Sequence, residues 1–155
     1  MKIAIAGDHA GFELKNGLAE ELRSWGHDVS DLGAHDLDPL DDYPDFGIRV
    51  AEAIRRGEAD RGIVVCGSGI GVCVTVNKFP GLRAGVCHDT YSARQGVEHD
   101  DMNVLCLGER VVGPALAKEI VRAFVDARFS GEDKHARRLG KVIGVEKRFL
   151  RADPS

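Results

Sequence analysis

Cys66 is the last residue of an apolar run, Gly62-Ile63-Val64-Val65-Cys66, which opens directly into Gly67-Ser68-Gly69-Ile70-Gly71. A thiol at the mouth of a glycine-rich turn into a helix faces backbone amides and a helix N-terminus, which favour a sulfur anion able to act as base or nucleophile. Most buried strand cysteines only pack, and Cys73, Cys87 and Cys106 are read that way. The glycine turn itself has two readings. It is either a tight connection needing positive φ or a cradle of N–H groups for an oxyanion or phosphate. The dinucleotide fingerprint does not fit, because Val72 stands where its third glycine belongs, and no Gly-Lys-Ser/Thr follows to make a P-loop.

Two further segments carry groups that move protons. Asp8-His9 closes the first apolar run. It is read either as a capping Asp beside a solvated imidazole or as a carboxylate and imidazole that touch ligand. His99-Asp100-Asp101 precedes the fifth apolar run and is either a polar turn or the place of a histidine working near neutral pH. His27, His35 and His88 have no comparable setting. Lys134, Arg138 and Lys141 fall at i, i+4 and i+7, with Arg137 beside them. Such a run is commonly a solvated helix face. In this chain it is also the densest positive patch, and an Arg within it suits bidentate phosphate binding.

Positioning these groups requires elements that alternate. Ile3 to Ala6 reads as a buried strand, and Leu14, Leu18 and Leu22 put one face of a helix over about 12–25 into a core. Val29–Leu32 is a second strand. A polar, Asp-rich loop over 33–43 leads to a helix opened by Pro44. The strand ending at Cys66, a helix to about 78, a fourth strand over 83–87, a helix over 89–97 and a fifth strand over 103–107 follow. Pro114 opens a long helix, and a basic helix over about 133–148 closes the chain. Strict β-α alternation with non-alternating apolar strands predicts an α/β fold: a five-stranded parallel sheet, doubly wound in three layers, most simply in the order 2-1-3-4-5. Ligands bind such sheets beyond the strand carboxyl ends at the switch point, here between strands 1 and 3. Those ends carry Asp8-His9 and Cys66-Gly67-Ser68-Gly69.

Composition sets the outer bounds. A chain of 155 residues with 43% apolar and 30% charged residues reads as one globular domain over 1–155. A net charge of −4 gives no global field for nucleic acid or an anionic membrane, so an anionic ligand needs a local cationic cluster. The four cysteines lack paired or zinc-type spacing, so neither a disulfide framework nor a metal site is expected. The first apolar stretch is too brief for a signal or a membrane span, and the reducing cytoplasm is the expected location.

Several ordered motifs together resemble one family, the type B ribose-5-phosphate isomerases with their relatives the galactose-6-phosphate isomerase subunits. They are Gly7-Asp8-His9-Ala10-Gly11, Asp42-Tyr43-Pro44-Asp45, Cys66-Gly67-Ser68-Gly69-Ile70-Gly71, Asn77-Lys78, Tyr91-Ser92-Ala93-Arg94, Glu98-His99 through Leu105, Leu107-Gly108-Glu109-Arg110 with Gly113, and Lys134-His135 to Arg138. The resemblance implies aldose–ketose isomerisation of ribose 5-phosphate and ribulose 5-phosphate through an enediolate, with Cys66 as base. It implies that the amides of Gly67, Ser68, Gly69, Ile70 and Gly71 hold the oxyanion and that Ser68 shuttles a proton. His99 would open the sugar ring, with Asp8 and Tyr43 beside the sugar. His9, Arg110, Lys134 and Arg138 match phosphate-binding positions. It further implies a homodimer or tetramer with a shared site, and no metal or organic cofactor.

Two positions depart from the pattern. Asp100 stands where much of the family has Asn after the histidine, exchanging N–H donors for negative charge at a position taken to contact the sugar. Lys134 stands where ribose-specific members have Arg, exchanging a planar fork for a point charge. Both bear on which phosphorylated sugar is preferred: a tetrose, another pentose or a hexose phosphate is the alternative with unchanged chemistry. A phosphate-binding module without catalysis is the alternative from another class.

Overall fold

The unbroken apolar runs fold as strands covered on both faces, as their lack of alternation requires. A computed structural model describes residues 1–150; the last five residues of the domain expected over 1–155 lie outside them. In chain order the elements are β1 (Lys2–Gly7), a 3₁₀ turn (His9–Gly11) leading into α1 (Phe12–Ser24), β2 (Asp28–Asp31), α2 (Tyr43–Arg55), β3 (Arg61–Cys66), α3 (Ile70–Val76), β4 (Ala84–Val86), α4 (Thr90–Asp100), β5 (Val104–Gly108), α5 (Pro114–Asp126) and α6 (Asp133–Phe149). Successive side chains of a strand point to opposite faces, and the core divides accordingly. Ile3, Ile5, Ile63, Val65, Leu105 and Leu107 pack with Leu18 of α1, Val97 of α4 and Phe124 of α5. Ala4, Ala6, Val64, Cys66 and Cys106 pack with Val50 of α2 and Val76 of α3. The helices therefore form a layer on each side of the sheet, and α6 lies against α4.

All strand pairs are parallel, but the order is β2-β1-β3-β5-β4 and not 2-1-3-4-5. The last two strands exchange places for a physical reason. Val104-Leu105-Cys106-Leu107-Gly108 is buried at every position, whereas Ala84-Gly85-Val86 is three residues long and half-exposed at each. The fully apolar strand gains most from neighbours on both edges, and the short one suits the rim. The exchange sets Gly108, not the end of β4, against Cys66 in the register. It thereby brings Glu109-Arg110 to the switch point between β1 and β3.

A second difference concerns α4, which runs on to Asp100 instead of stopping near residue 97. Asp101 ends it with a left-handed φ of 50°, a conformation Asp tolerates better than most residues. His99 and Asp100 thus belong to a helix's last turn, not to a polar connection. Among the described residues no helix is long and apolar enough to cross a membrane.

Candidate active site

Cys66 ends β3, and the chain turns through Gly67-Ser68-Gly69 into α3. Gly69 has φ +82°, and a Cβ there would stand 3.0 Å from the Leu107 carbonyl carbon, so both conformation and space demand glycine. The turn closes on the thiol: the Gly69 N–H donates to Cys66 Sγ at 3.1 Å. Ser68 Oγ accepts the Ile70 N–H at 3.2 Å. Cys66 is only 5% exposed, yet it lines a cleft of about 370 Å³. Asp8, His9, Tyr43, Ser68 and Arg110 share that cleft.

Each neighbour is fixed by its own local structure. After β5 the Glu109 N–H donates to Cys66 O and the Arg110 N–H to Gly67 O, at 2.9 and 3.1 Å. The Arg110 guanidinium lies over Gly67, whose missing side chain leaves it room. Tyr43 opens α2, and its ring packs on Gly71, where a Cβ would come within 2.7 Å. Asp8 caps the 3₁₀ turn, its Oδ1 accepting the N–H groups of Ala10 and Gly11 at 3.0 and 3.1 Å. Burial pushes the Asp8 carboxyl above its ordinary value, opposed by His9 and those amides.

His9 takes its partner from a residue that sequence reading did not single out. Its backbone N–H and ring Nδ1 both meet Asp41 Oδ1, at 3.0 and 2.6 Å. The only sequence signal was the Asp-rich composition of the loop over 33–43. Asp8, His9 and Asp41 present donor atoms within 4.8 Å of one another, the geometry of a potential cation site. Asp8 Oδ1 is already shared by two amides and Asp41 Oδ1 by His9, so these groups are engaged with protein donors.

The remaining residues singled out by sequence stand elsewhere in the chain. His99 stacks on His135 with ring centroids 3.9 Å apart, and its Nδ1 lies 2.8 Å from Gln95 Nε2. His135 is buried against Ser130 Oγ at 2.6 Å, and burial with the neighbouring His99 holds its imidazole below the ordinary value. Lys134 pairs with Glu132 at 3.0 Å, and Arg138 is exposed on α6. Asp100 lines a different groove, between α4 and α6, with Met102 and Val142. Arg61, at the start of β3, donates to Phe124 O and Ala127 O, and the Ser130 N–H donates to Glu98 O. The His99 cluster is therefore tied to the end of β3 opposite Cys66. One chain brings together Cys66, Ser68, Asp8, His9, Tyr43 and Arg110, and holds His99, Asp100, Lys134 and Arg138 apart from them.

The cleft thus combines a thiol on an amide-lined turn with an arginine and an imidazole. That set suits an anionic ligand carrying a removable proton. Comparison with known proteins gives the same direction. Residues 3–142 match the family model described as Ribose/Galactose Isomerase. Ribose-5-phosphate isomerase B of Escherichia coli is 42% identical over 147 residues, covering 95% of this chain and 97% of that protein. The D-erythrulose-4-phosphate isomerase of Pectobacterium atrosepticum is 44% identical over 134 residues, 84% of this chain and 86% of that one. The solved structure of ribose-5-phosphate isomerase B from Clostridium thermocellum superposes with a TM-score of 0.92 at 50% identity, covering 96% of this chain and 99% of that chain. With its site residues on that fold and the family model spanning most of its length, the chain belongs to the ribose/galactose isomerase family of enzymes.

Proposed function

We propose that this chain is a single sugar-phosphate isomerase domain that interconverts ribose 5-phosphate and ribulose 5-phosphate in the cytoplasm. It acts as a homodimer or tetramer in which each site is completed by a second copy. The observation that carries the reading is the Cys66 sulfur, which receives an amide at 3.1 Å in a cleft shared with Arg110 and His9. Cys66 as a thiolate takes the C2 proton of the open aldose, and the C–H electrons move through C1 to leave charge on O1. Amides of Gly67, Ser68, Gly69, Ile70 and Gly71 steady that charge, at about 3 kcal/mol for a well-placed donor. Ser68 passes the hydroxyl proton from O2 to O1, and Cys66 returns its proton to C1. Nothing is gained or lost, and no cofactor enters the balance.

His9 and Arg110 hold the phosphate together with Lys134 and Arg138 of the second copy. His99 of that copy opens the furanose ring, with Asp100 beside it, while Asp8 and Tyr43 flank the sugar. Exposed apolar side chains support an assembly: Val111 at the cleft, Ile70 and Val74 on α3, and Val142, Val145 and Phe149 on α6. The four free thiols suit a reducing compartment. A second reading keeps the chemistry and changes the sugar. It is favoured by the 44% identity to an isomerase of a tetrose phosphate, together with Asp100 and Lys134.

The test follows deuterium incorporation from heavy water at C2 across tetrose, pentose and hexose phosphates. Ribose 5-phosphate is expected to give the highest kcat/KM, and a much higher value on another sugar selects the second reading. Cys66→Ser is expected to abolish exchange while sparing the binding of ribitol 5-phosphate. Full activity in that variant refutes the assigned base.

A further inference from the structure

His9 enters the cleft on the 3₁₀ turn after β1, with a third of its side chain exposed. Asp41 reaches it from the loop before α2, and the two hydrogen bonds from His9 end on a single oxygen, Oδ1. An ionised carboxylate accepts and cannot donate, so the contact at 2.6 Å assigns a proton to Nδ1. Nε2 is then the one ring atom free for the cleft. In the neutral ring this Nε2 would present a lone pair to an incoming anion. Only the doubly protonated ring presents an N–H donor and a positive charge.

The surroundings favour that form. The Asp41 carboxylate foremost, with the Asp8 charge behind it, holds His9 above its ordinary value, against partial burial and the neighbouring Arg110. Among the described residues those three are the charged groups facing the ring: Asp8 from its own turn, Asp41 from the loop over 33–42, Arg110 from the segment after β5. Among the described residues Asp41 has no competing partner: its side chain is 12% exposed and its Oδ2 is buried without a hydrogen bond. Its charge is therefore committed to the imidazole.

We propose that Asp41 is a positioning residue of the phosphate subsite, holding His9 by Nδ1 so that a protonated Nε2 donates to a phosphate oxygen of the substrate. The proposal rests on the reading of His9 as a phosphate ligand, and the two fail in distinguishable ways. In the wild-type protein without ligand, nitrogen NMR of His9 should show a hydrogen-bonded Nδ1–H and a titration midpoint above that of an ordinary histidine; an ordinary midpoint overturns the proposal without any variant. In Asp41→Asn the midpoint should fall. The ratio of variant to wild-type Kd for ribitol 5-phosphate should then be about tenfold at pH 7.5, the loss of one charge-assisted hydrogen bond. That ratio should approach one near pH 5.5, where the variant's His9 regains its proton, while Kd for unphosphorylated ribitol stays unchanged. An equal loss at every pH would mean that Asp41 only supports the loop, and overturns the proposal. A lowered midpoint with no change in Kd at any pH removes His9 from the phosphate site, and the proposal falls with the reading beneath it.

Discussion

Mixing two inactive variants should restore activity, and the amount recovered follows from the sheet's geometry. Cys66 lies at the carboxyl edge of the strands, while α4 starts near that edge and carries His99 away from it. Nine residues of helix from Thr90 amount to about 14 Å along the axis. The interposition of β5 between β3 and β4 adds about 10 Å sideways, two strand spacings. A proton-transfer contact needs roughly 3 Å, so Cys66 and His99 of one chain cannot serve the same sugar. In the two-fold dimer proposed above, each site would take Cys66 from one copy and His99 from the other. Cys66→Ser alone should be inactive. His99→Asn alone should lose about a hundredfold in kcat/KM on ribose 5-phosphate, the usual worth of a positioned acid–base group. Co-refolding equal amounts places half of the chains in hybrid dimers, each with one intact site of two. The mixture should therefore reach about a quarter of wild-type activity. Affinity-tagged chains confirm hybrid formation, and coupled kinetics read the recovery. If verified hybrids give only the mean of the two parents, the two residues act within one chain and the argument from topology fails.

Thiol reactivity and stability offer further checks. The Cys106 thiol foremost, with amides of Val86 and Asn77, lowers Cys73 to about 7 against the effect of burial, whereas burial pushes Cys87 up to about 11. In a Cys66→Ser background iodoacetamide should therefore modify Cys73 first, at a rate that rises through neutral pH as the thiolate forms; mass spectrometry finding Cys87 equally fast at pH 7 contradicts this. Lys15 is wholly buried, its Nζ bonded to both oxygens of Asp31 and to Ala34 O at 2.9–3.0 Å. Lys15→Met should cost about 3 kcal/mol in urea unfolding by stranding Asp31, and adding Asp31→Leu should recover much of it; a neutral single variant would show that the pair contributes nothing.

Much of the fold was legible because its signals are local. Val64 and Val65 announce a buried strand whatever surrounds them, Pro44 and Pro114 mark first turns of helices, and the glycine turn marks the sheet end that carries the candidate site. Strand order was not, since β-α alternation constrains handedness and leaves open which of two late strands goes inside. Relative burial decides it, and the shortness of Ala84-Gly85-Val86 was the available clue. Half of the candidate site was legible as a place, because the switch point between β1 and β3 predicted Asp8, His9, Cys66 and Ser68 together and one cleft holds them; the position of His99 was not. Nothing in the spacing of Cys66 and His99 says that a helix separates them by the depth of the sheet. Asp41 was invisible for a different reason: in a loop with Asp36, Asp38 and Asp42, only the fold can say which carboxylate meets His9.

The glycines of the site make sense as spaces that other groups occupy, more than as hinges. Ser68 lies where a Gly108 Cβ would be, at 2.6 Å, the Arg110 guanidinium lies over Gly67, and the Tyr43 ring lies on Gly71. Each approach sets a different strand end or helix start against the turn after Cys66: β5 through Gly108, the segment after β5 through Arg110, α2 through Tyr43. The turn is consequently clamped from three sides, and the Gly69 amide that meets Cys66 is aimed by packing, the preorganisation that the proposed isomerisation would use. This arrangement depends on the observed strand order, because only β5 beside β3 supplies both Gly108 and Arg110. Had β4 taken that place, the same sequence motifs would border a turn open on one side. The burial preference that moves Val104–Gly108 inward is thus also what closes the cleft around Cys66.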